Sequence, residues 1–544
     1  MAAGAATITN SGTITTQNGG GVEFGTGGGV VTNNRYATIS SQGGQGVLAL
    51  GGAGTIVNGG DIDGYAGIGI DFTLSNSSQI HLVTNNAGGT VHGDGGGVRF
   101  ANSGTVNNSG AITAYSAAGI YAAGTCTVTN GAGALIEGHG GIRLRNGSVA
   151  NLGFIQGGSG AGIYAAGKCA VTNGSATQTT ATIQGSYGVQ LNAGSLANFG
   201  TIEGMTFGYG VTVEAANVTN GSATDSKALI QGYAGLRVGA YGLNTTVTNF
   251  GTIAASGARA AVTFRDASDV LAVEAGCVFK GAVLGGGGTL VLDTGTGTIT
   301  GELAGGTVSV SGSMAATAFS NFGTVRIGPT ATFATSGAVS LAAGQSLVAA
   351  GSLTLGGKAA AIANAGAIET LGGTVTVAGK VTGKGEAIVN GGLIDFTSTF
   401  SQSVTFAGTT GTLELAKSQG YGGTIVGFST AGGTFLDLAD IAFTGAGEAT
   451  YAGNKKGGVL TVTDGTHTAT IALTGNYLGS TFVAASDGHG GVLIHDPKAP
   501  TLAPTHAFIA ALASLGAGAA GLEAAAVERL HAPPMLLAPG ARVA

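Results

Sequence analysis

Tryptophan is missing from this 544-residue sequence, cysteine occurs 3 times, and charged residues make up only 8% of it. Each shortage excludes something. Cys126, Cys169 and Cys277 are too few for a disulfide framework and lack the spacing of metal ligands. A net charge of −6 spread along the chain leaves no basic footprint for nucleic acid. No apolar run approaches the roughly 18 residues that a membrane-spanning helix requires. The start, Met1-Ala2-Ala3-Gly4, has neither a basic nor an apolar leader region, so no conventional signal peptide is expected. Without tryptophan the strongest stacking platform for sugars is gone, so any glycan binding is expected to be weak and multivalent.

What the chain has is glycine, 107 residues of it, and a hydrophobic content of 43% with Val, Ile and Thr in short runs. A disordered linker lacks such β-branched residues. A long, uniform, Gly- and Thr-rich chain points instead to a β repeat array. The low charge fits the same reading, because stacked ladders set like charges directly above one another.

The repeat is marked by asparagine. Asn10, Asn33, Asn58, Asn85, Asn108, Asn130, Asn151, Asn173, Asn198, Asn220 and Asn249 recur at intervals of 21 to 29 residues, most near 22. Each follows an apolar residue two places earlier and leads through Gly or Ala to an aliphatic one, such as Ile112, Ile155, Ile202 or Ile253. A third segment has the form Gly-aliphatic-x-aliphatic, as in Gly97-Val98-Arg99-Phe100 and Gly141-Ile142-Arg143-Leu144. Alternation at period two sends one set of side chains inward and Arg99, Arg143, Gln190 and Arg237 outward. Three strands per repeat, with a constant period and no hairpin signature, predict a right-handed parallel β-helix of about 22 residues per coil rather than a sandwich. The Asn series is then a structural ladder, stacked about 4.8 Å apart along the axis.

The turn after the Asn alternates in length. Longer turns follow Asn33, Asn85, Asn130, Asn173 and Asn220, and the last two are near copies. Gly119-Ile-Tyr-Ala-Ala-Gly-Thr-Cys126 and Gly162-Ile-Tyr-Ala-Ala-Gly-Lys-Cys169 also repeat, so the duplicated unit is a pair of coils. The longer turns are expected to form a ridge along one edge. Cys126 and Cys169 should lie two coils apart, about 9.6 Å and too far for a disulfide. Residues 1–265 are the regular helix. Beyond them Asn321, Asn364 and Asn390 each precede an aliphatic residue by four places, so 266–403 reads as a less regular continuation.

These repeats resemble the passenger regions of autotransporter adhesins and filamentous-haemagglutinin-like surface proteins. That resemblance implies an extracellular β-helix displayed for adhesion. Segment 404–496 carries Phe406-Ala-Gly-Thr-Thr-Gly-Thr-Leu-Glu-Leu415, Leu436-Asp-Leu-Ala-Asp-Ile441 and Ser486-Asp-Gly-His-Gly-Gly491. It resembles the terminal β module of large secreted repeat proteins of alphaproteobacteria, which implies export by a C-terminal signal, although the usual Gly-Gly-x-Gly-x-Asp calcium repeats are absent. The Ala/Pro-rich tail 497–544 offers a broken helix over 505–531, stopped by Pro533-Pro534.

Parallel β-helices also carry polysaccharide lyases and hydrolases, which need clustered carboxylates. The best local set is Asp61, Asp63 and Asp71 with His92 and Asp94; Asp437 and Asp440 form a second pair able to hold a cation. Both also fit as turn caps and solvated charges. The expectation is therefore a secreted or cell-surface, adhesin-like scaffold without catalysis, cofactor or metal. Its expected partners are glycans or extracellular matrix, with no nucleic acid and no membrane span. The alternatives are a polysaccharide lyase or hydrolase, and a filament or matrix protein assembled head to tail.

Overall fold

A computed structural model describes residues 5–497 except 74–78, 80, 206, 240–242, 258, 304 and 358–359. The helix expected over 505–531 lies outside these residues. Within them the chain is all-β, a parallel solenoid of about 18 turns with about 23 residues each. At the strand spacing of about 4.8 Å this gives a stack on the order of 85 Å long. Among the described residues no helix is long and apolar enough to cross a membrane.

Three inward columns build the core. The first runs from Ile8 through Val31 and Ile56 to Val247, each paired in parallel with its equivalent one coil on. The second comprises Ile39, Ile62, Val91, Ile112, Ile136, Ile155 and their successors to Ile253 and Phe279, all buried. The third passes from Val22 and Val47 through Ile70, Val98, Ile120, Ile142 and Ile163. Like stacks on like, so each added coil buries a further ring of methyl groups against the last.

Aromatic residues need room in so narrow a core, and glycine provides it. The rings of Phe72 and Phe100 stack with centroids 5.1 Å apart and planes nearly parallel at 6°. A β-carbon on Gly54 would fall 2.5 Å from the Phe72 ring, and one on Gly104 would fall 2.3 Å from the Phe100 ring. The same column carries Gly54, His81, Gly104, Cys126, Gly147 and Cys169 in succession. Cys126 and Cys169 are therefore two coils apart; both are free and buried, as is Cys277. Burial pushes all three thiols up to about 12, which leaves almost no thiolate at neutral pH. The folded chain is expected to show no reaction with a thiol-specific disulfide reagent at pH 7.5, and three equivalents after denaturation; a fast equivalent in the native state would contradict the inward placement.

The parallel ladder runs on across residue 265, since Val247 pairs with Leu271, Leu271 with Leu290 and Leu290 with Val325. It also runs across residue 403, where Ala387 pairs with Val404 and Leu413 with Leu436. The first strands of the segment 404–496 are thus further rungs of the same stack. Antiparallel pairing enters at Thr296–Ser320 and again in the meander Ala449–Thr474. The strand Val492–His495 then lies antiparallel on Thr434–Leu438 and covers its edge.

The Asn column stops where the coils become irregular. Asn249 is followed by Val273, then Leu292 and Ile327. Asn321, Asn364 and Asn390 do not rejoin it. Asn321 adopts a left-handed φ of 57° in a turn, Asn364 bonds to Gln402 in a separate three-stranded ladder, and Asn390 pairs with Leu371.

Candidate binding trough

The corners of the coils decide which outward side chains meet. One corner follows the Asn. Here every Nδ2 from Asn10 to Asn220 donates to the Oδ1 of the next coil's Asn at 2.8–2.9 Å. Each also donates to a backbone carbonyl in the following coil, as Asn151 does to Thr182. All eleven side chains are buried, so this corner is an internal seam whose amides up to Asn220 are spent along the stack. The ladder has a polarity. Its last member, Asn249, has no acceptor for Nδ2 because Val273 stands above it.

The longer turns leave from this same corner. Those at 174–181 and 221–228 are tied by matching bridges, Ser175 with Gln178 and Ser222 with Asp225. They form edge projections on alternate coils.

The opposite corner, after the four-residue second strand, is different. One residue past the inward Val98, Ile120, Ile142, Ile163 and Val189 come Arg99, Tyr121, Arg143, Tyr164 and Gln190, in register as one outward column. Two residues before the first four of those inward positions come Gly96, Ala118, Gly140 and Ala161. Four small residues in succession leave a trough beside the Arg/Tyr column, about four strand spacings or about 19 Å long. Its ends are closed by larger residues at the same position. Ile68 precedes Gly96, and Tyr187 follows Ala161, with its ring stacked 6.4 Å from that of Tyr209. The recess, open to solvent along one side, has a volume of about 630 Å³, within the range of small-molecule sites.

The walls are polar and aromatic. Arg99 is fixed by a bidentate pair to buried Asp71, Nε to Oδ1 at 2.8 Å and Nη2 to Oδ2 at 2.7 Å. Arg143 is exposed, and its guanidinium lies 5.5 Å from the centroid of Tyr164, a cation–π contact. Across the trough, His139 shares a hydrogen bond of 2.9 Å with Ser159. On the lip, Tyr115 stands 81% exposed beside Ser116. Tyr65, Tyr115, Tyr121, Tyr164, Tyr187, Tyr209 and Tyr233 all belong to this corner or the strand that follows it. These are 7 of the 12 tyrosines of the chain, so this side of the regular coils is rich in aromatic rings.

The carboxylates singled out in the sequence do not form one site. Asp61, Asp63, His92 and Asp94 do gather on and beside the second strand, where Asp63 is paired with His92 in register and His92 lies 3.5 Å from Asp94. Burial raises the Asp63 carboxyl, His92 lowers it, and Asp94 and Asp61 raise it. Asp71 is not part of this group. It sits on the third strand and is consumed by Arg99.

Asp437 and Asp440 also part company. Asp440 accepts from the backbone and hydroxyl of Ser418 and from Gln419. Burial raises its carboxyl, but these bonds outweigh it and hold the group below the usual range. Asp437 instead tops a column of stacked acids, Asp395, Glu414 and Asp437. Among the described residues no group of three or more His, Cys, Asp or Glu is placed to hold a metal ion.

Of the trough residues, Arg99, Arg143 and Gln190 were legible as outward positions, whereas Tyr121 and Tyr164 were not singled out. The available signal was in the two near-copy segments: aligning their Tyr with the Arg of the intervening coil gives the alternation directly.

No protein-family model and no curated protein matches the chain. What fold and surface define is a class: a β-solenoid scaffold protein.

Proposed function

We propose that the chain is an adhesin-like scaffold of a bacterial surface or secretome that binds surface or matrix glycans in the trough without cleaving them. The observation that carries this reading is the run Gly96, Ala118, Gly140 and Ala161 beside the alternating Arg99, Tyr121, Arg143 and Tyr164. Here four small residues in succession open a recess between Ile68 and Tyr187. Tyrosine rings and the hydroxyl, amide and imidazole groups of Ser116, Gln190 and His139 suit sugar faces and hydroxyls. Both ends of the recess are blocked, so each chain takes a short stretch of polymer, and useful adhesion comes from many displayed copies.

A head-to-tail filament is the weaker reading, because Val492–His495 already occupies the edge of Thr434–Leu438. The test is a panel of immobilised neutral and acidic glycans and matrix proteins probed with the full chain and with Tyr164→Ala. Binding to a glycan subset, lost at least about tenfold in the variant at unchanged melting temperature, supports the proposal. Appearance of unsaturated or reducing ends in the bound polysaccharide would replace it with an enzyme.

A further inference from the structure

We infer that the trough selects an acidic oligosaccharide, one whose carboxylate is taken by Arg143; this rests on the reading of the trough as a glycan site. Two arginines of the column line the trough, Arg99 and Arg143. They are chemically alike and two coils apart, but only one is spent. Arg99 has its carboxylate in Asp71. Among the described residues Arg143 has no carboxylate within ion-pair distance; its contact is the Tyr164 ring. Arg143 is exposed and lines the trough, so its N–H donors are accessible to a ligand held there. A planar guanidinium fork beside an aromatic ring suits bidentate capture of a carboxylate.

The surroundings favour an acid and not a neutral sugar. Among the described residues no acidic side chain lines the trough, and Asp94 at its lip is turned toward His92. His139, in the corner that leads into the Arg143 strand, also lines the trough and adds an imidazole able to donate a hydrogen bond.

The same geometry disfavours an acidic peptide. Extended peptides dock by adding a strand to a free edge, and the backbone around the trough has none. Gly119 N–H donates to Gly140 O and Gly141 N–H to Ala161 O, so these groups are spent along the stack. Recognition must therefore go through side chains and the ligand's own hydroxyls, which an oligosaccharide supplies at every residue.

The experiment uses the full chain, calorimetry or fluorescence anisotropy, and five probes: an oligogalacturonate, an oligoalginate, a hyaluronan tetrasaccharide, the carboxyl-reduced form of whichever acid binds best, and an oligoglutamate peptide. Expected is binding of at least one acidic sugar, weakened about tenfold or more by carboxyl reduction and equally by Arg143→Gln, with partial recovery in Arg143→Lys. The effect of Arg143→Gln on the carboxyl-reduced probe should be small, which a merely structural role would not produce. Equal binding of the acid and its reduced form, sensitive to Tyr164→Ala but not to Arg143→Gln, overturns the acid selectivity and leaves the glycan site standing. Binding insensitive to both substitutions overturns both. No binding by any acidic sugar, or tighter binding of the oligoglutamate, overturns the inference.

Discussion

Replacing Asn151 by alanine is expected to destabilise the solenoid by about 3–6 kcal/mol and lower its melting temperature more than any surface change. Five bonds disappear at once. Asn130 Nδ2 loses its side-chain acceptor at 2.8 Å, Asn173 Oδ1 loses its donor at 2.8 Å, Thr182 O and Gly153 O each lose a donor, and Gly153 N–H loses its acceptor. These groups are buried where no strand can move in to replace the amide, and each orphaned group costs about 1–3 kcal/mol. The end of the ladder supplies the control. Asn249→Ala removes a side chain whose Nδ2 already lacks an acceptor, so only the bond from Asn220 is lost. It should cost less than half as much. Equal losses at the two positions would mean that the amides do not act as a ladder.

Stability should also fall as pH rises from 5 to 8. Asp395, Glu414 and Asp437 stack at strand spacing on one outward column, and Asp395 and Asp437 each keep one carboxylate oxygen buried without a hydrogen bond. Burial first, and then the charge of Glu414, raise Asp395 to about 6. Burial and Glu414 likewise raise Asp437 to about 7, with Asp487 adding to the rise and His489 opposing it. The folded state therefore holds more protons than the unfolded chain between about pH 4 and 7. Protonated, the column is stable; the stabilisation is lost as pH climbs through 6 and 7. Both groups are partly exposed, so solvent screening cuts the effect to about 1–2 kcal/mol. The double variant Asp395→Asn, Asp437→Asn should be more stable than the parent at pH 8, with a flatter profile of melting temperature against pH. A parent profile that rises from pH 5 to 8 would contradict the shared column.

The repeat was legible because its signals are local and reinforced by stacking. An Asn every coil, an aliphatic residue at fixed offset and Gly at the corners leave one register in which all columns coincide, and the pairings from Asn10 to Asn249 follow it. Past Asn249 the column changes to Val273 and Leu292. The inner position then no longer differs from any other aliphatic one, so Asn364 and Asn390 carried the same local spacing without the same place. The acidic set failed for a related reason. Asp61, Asp63, His92 and Asp94 share a strand face or its end, whereas Asp71 lies one corner further on, and sequence proximity does not show which corner a residue has passed. The trough was hidden because it is made by what is absent. Glycine and alanine at one position over four coils give no chemical signature until Tyr187 and Tyr209 show how large a side chain that position holds elsewhere.

The most direct test is therefore to fill the trough from inside. Gly140 has ordinary backbone torsions, and an added β-carbon would meet nothing closer than Ala161 O at 3.4 Å. Ala161→Tyr repeats a step that the next coil already makes with Tyr187. The full chain carrying Gly140→Phe and Ala161→Tyr should melt within a few degrees of the parent and lose binding to any glycan that the parent retains. If the filled variant binds with the parent's affinity, the trough is not the site and the ligand is held elsewhere on the solenoid.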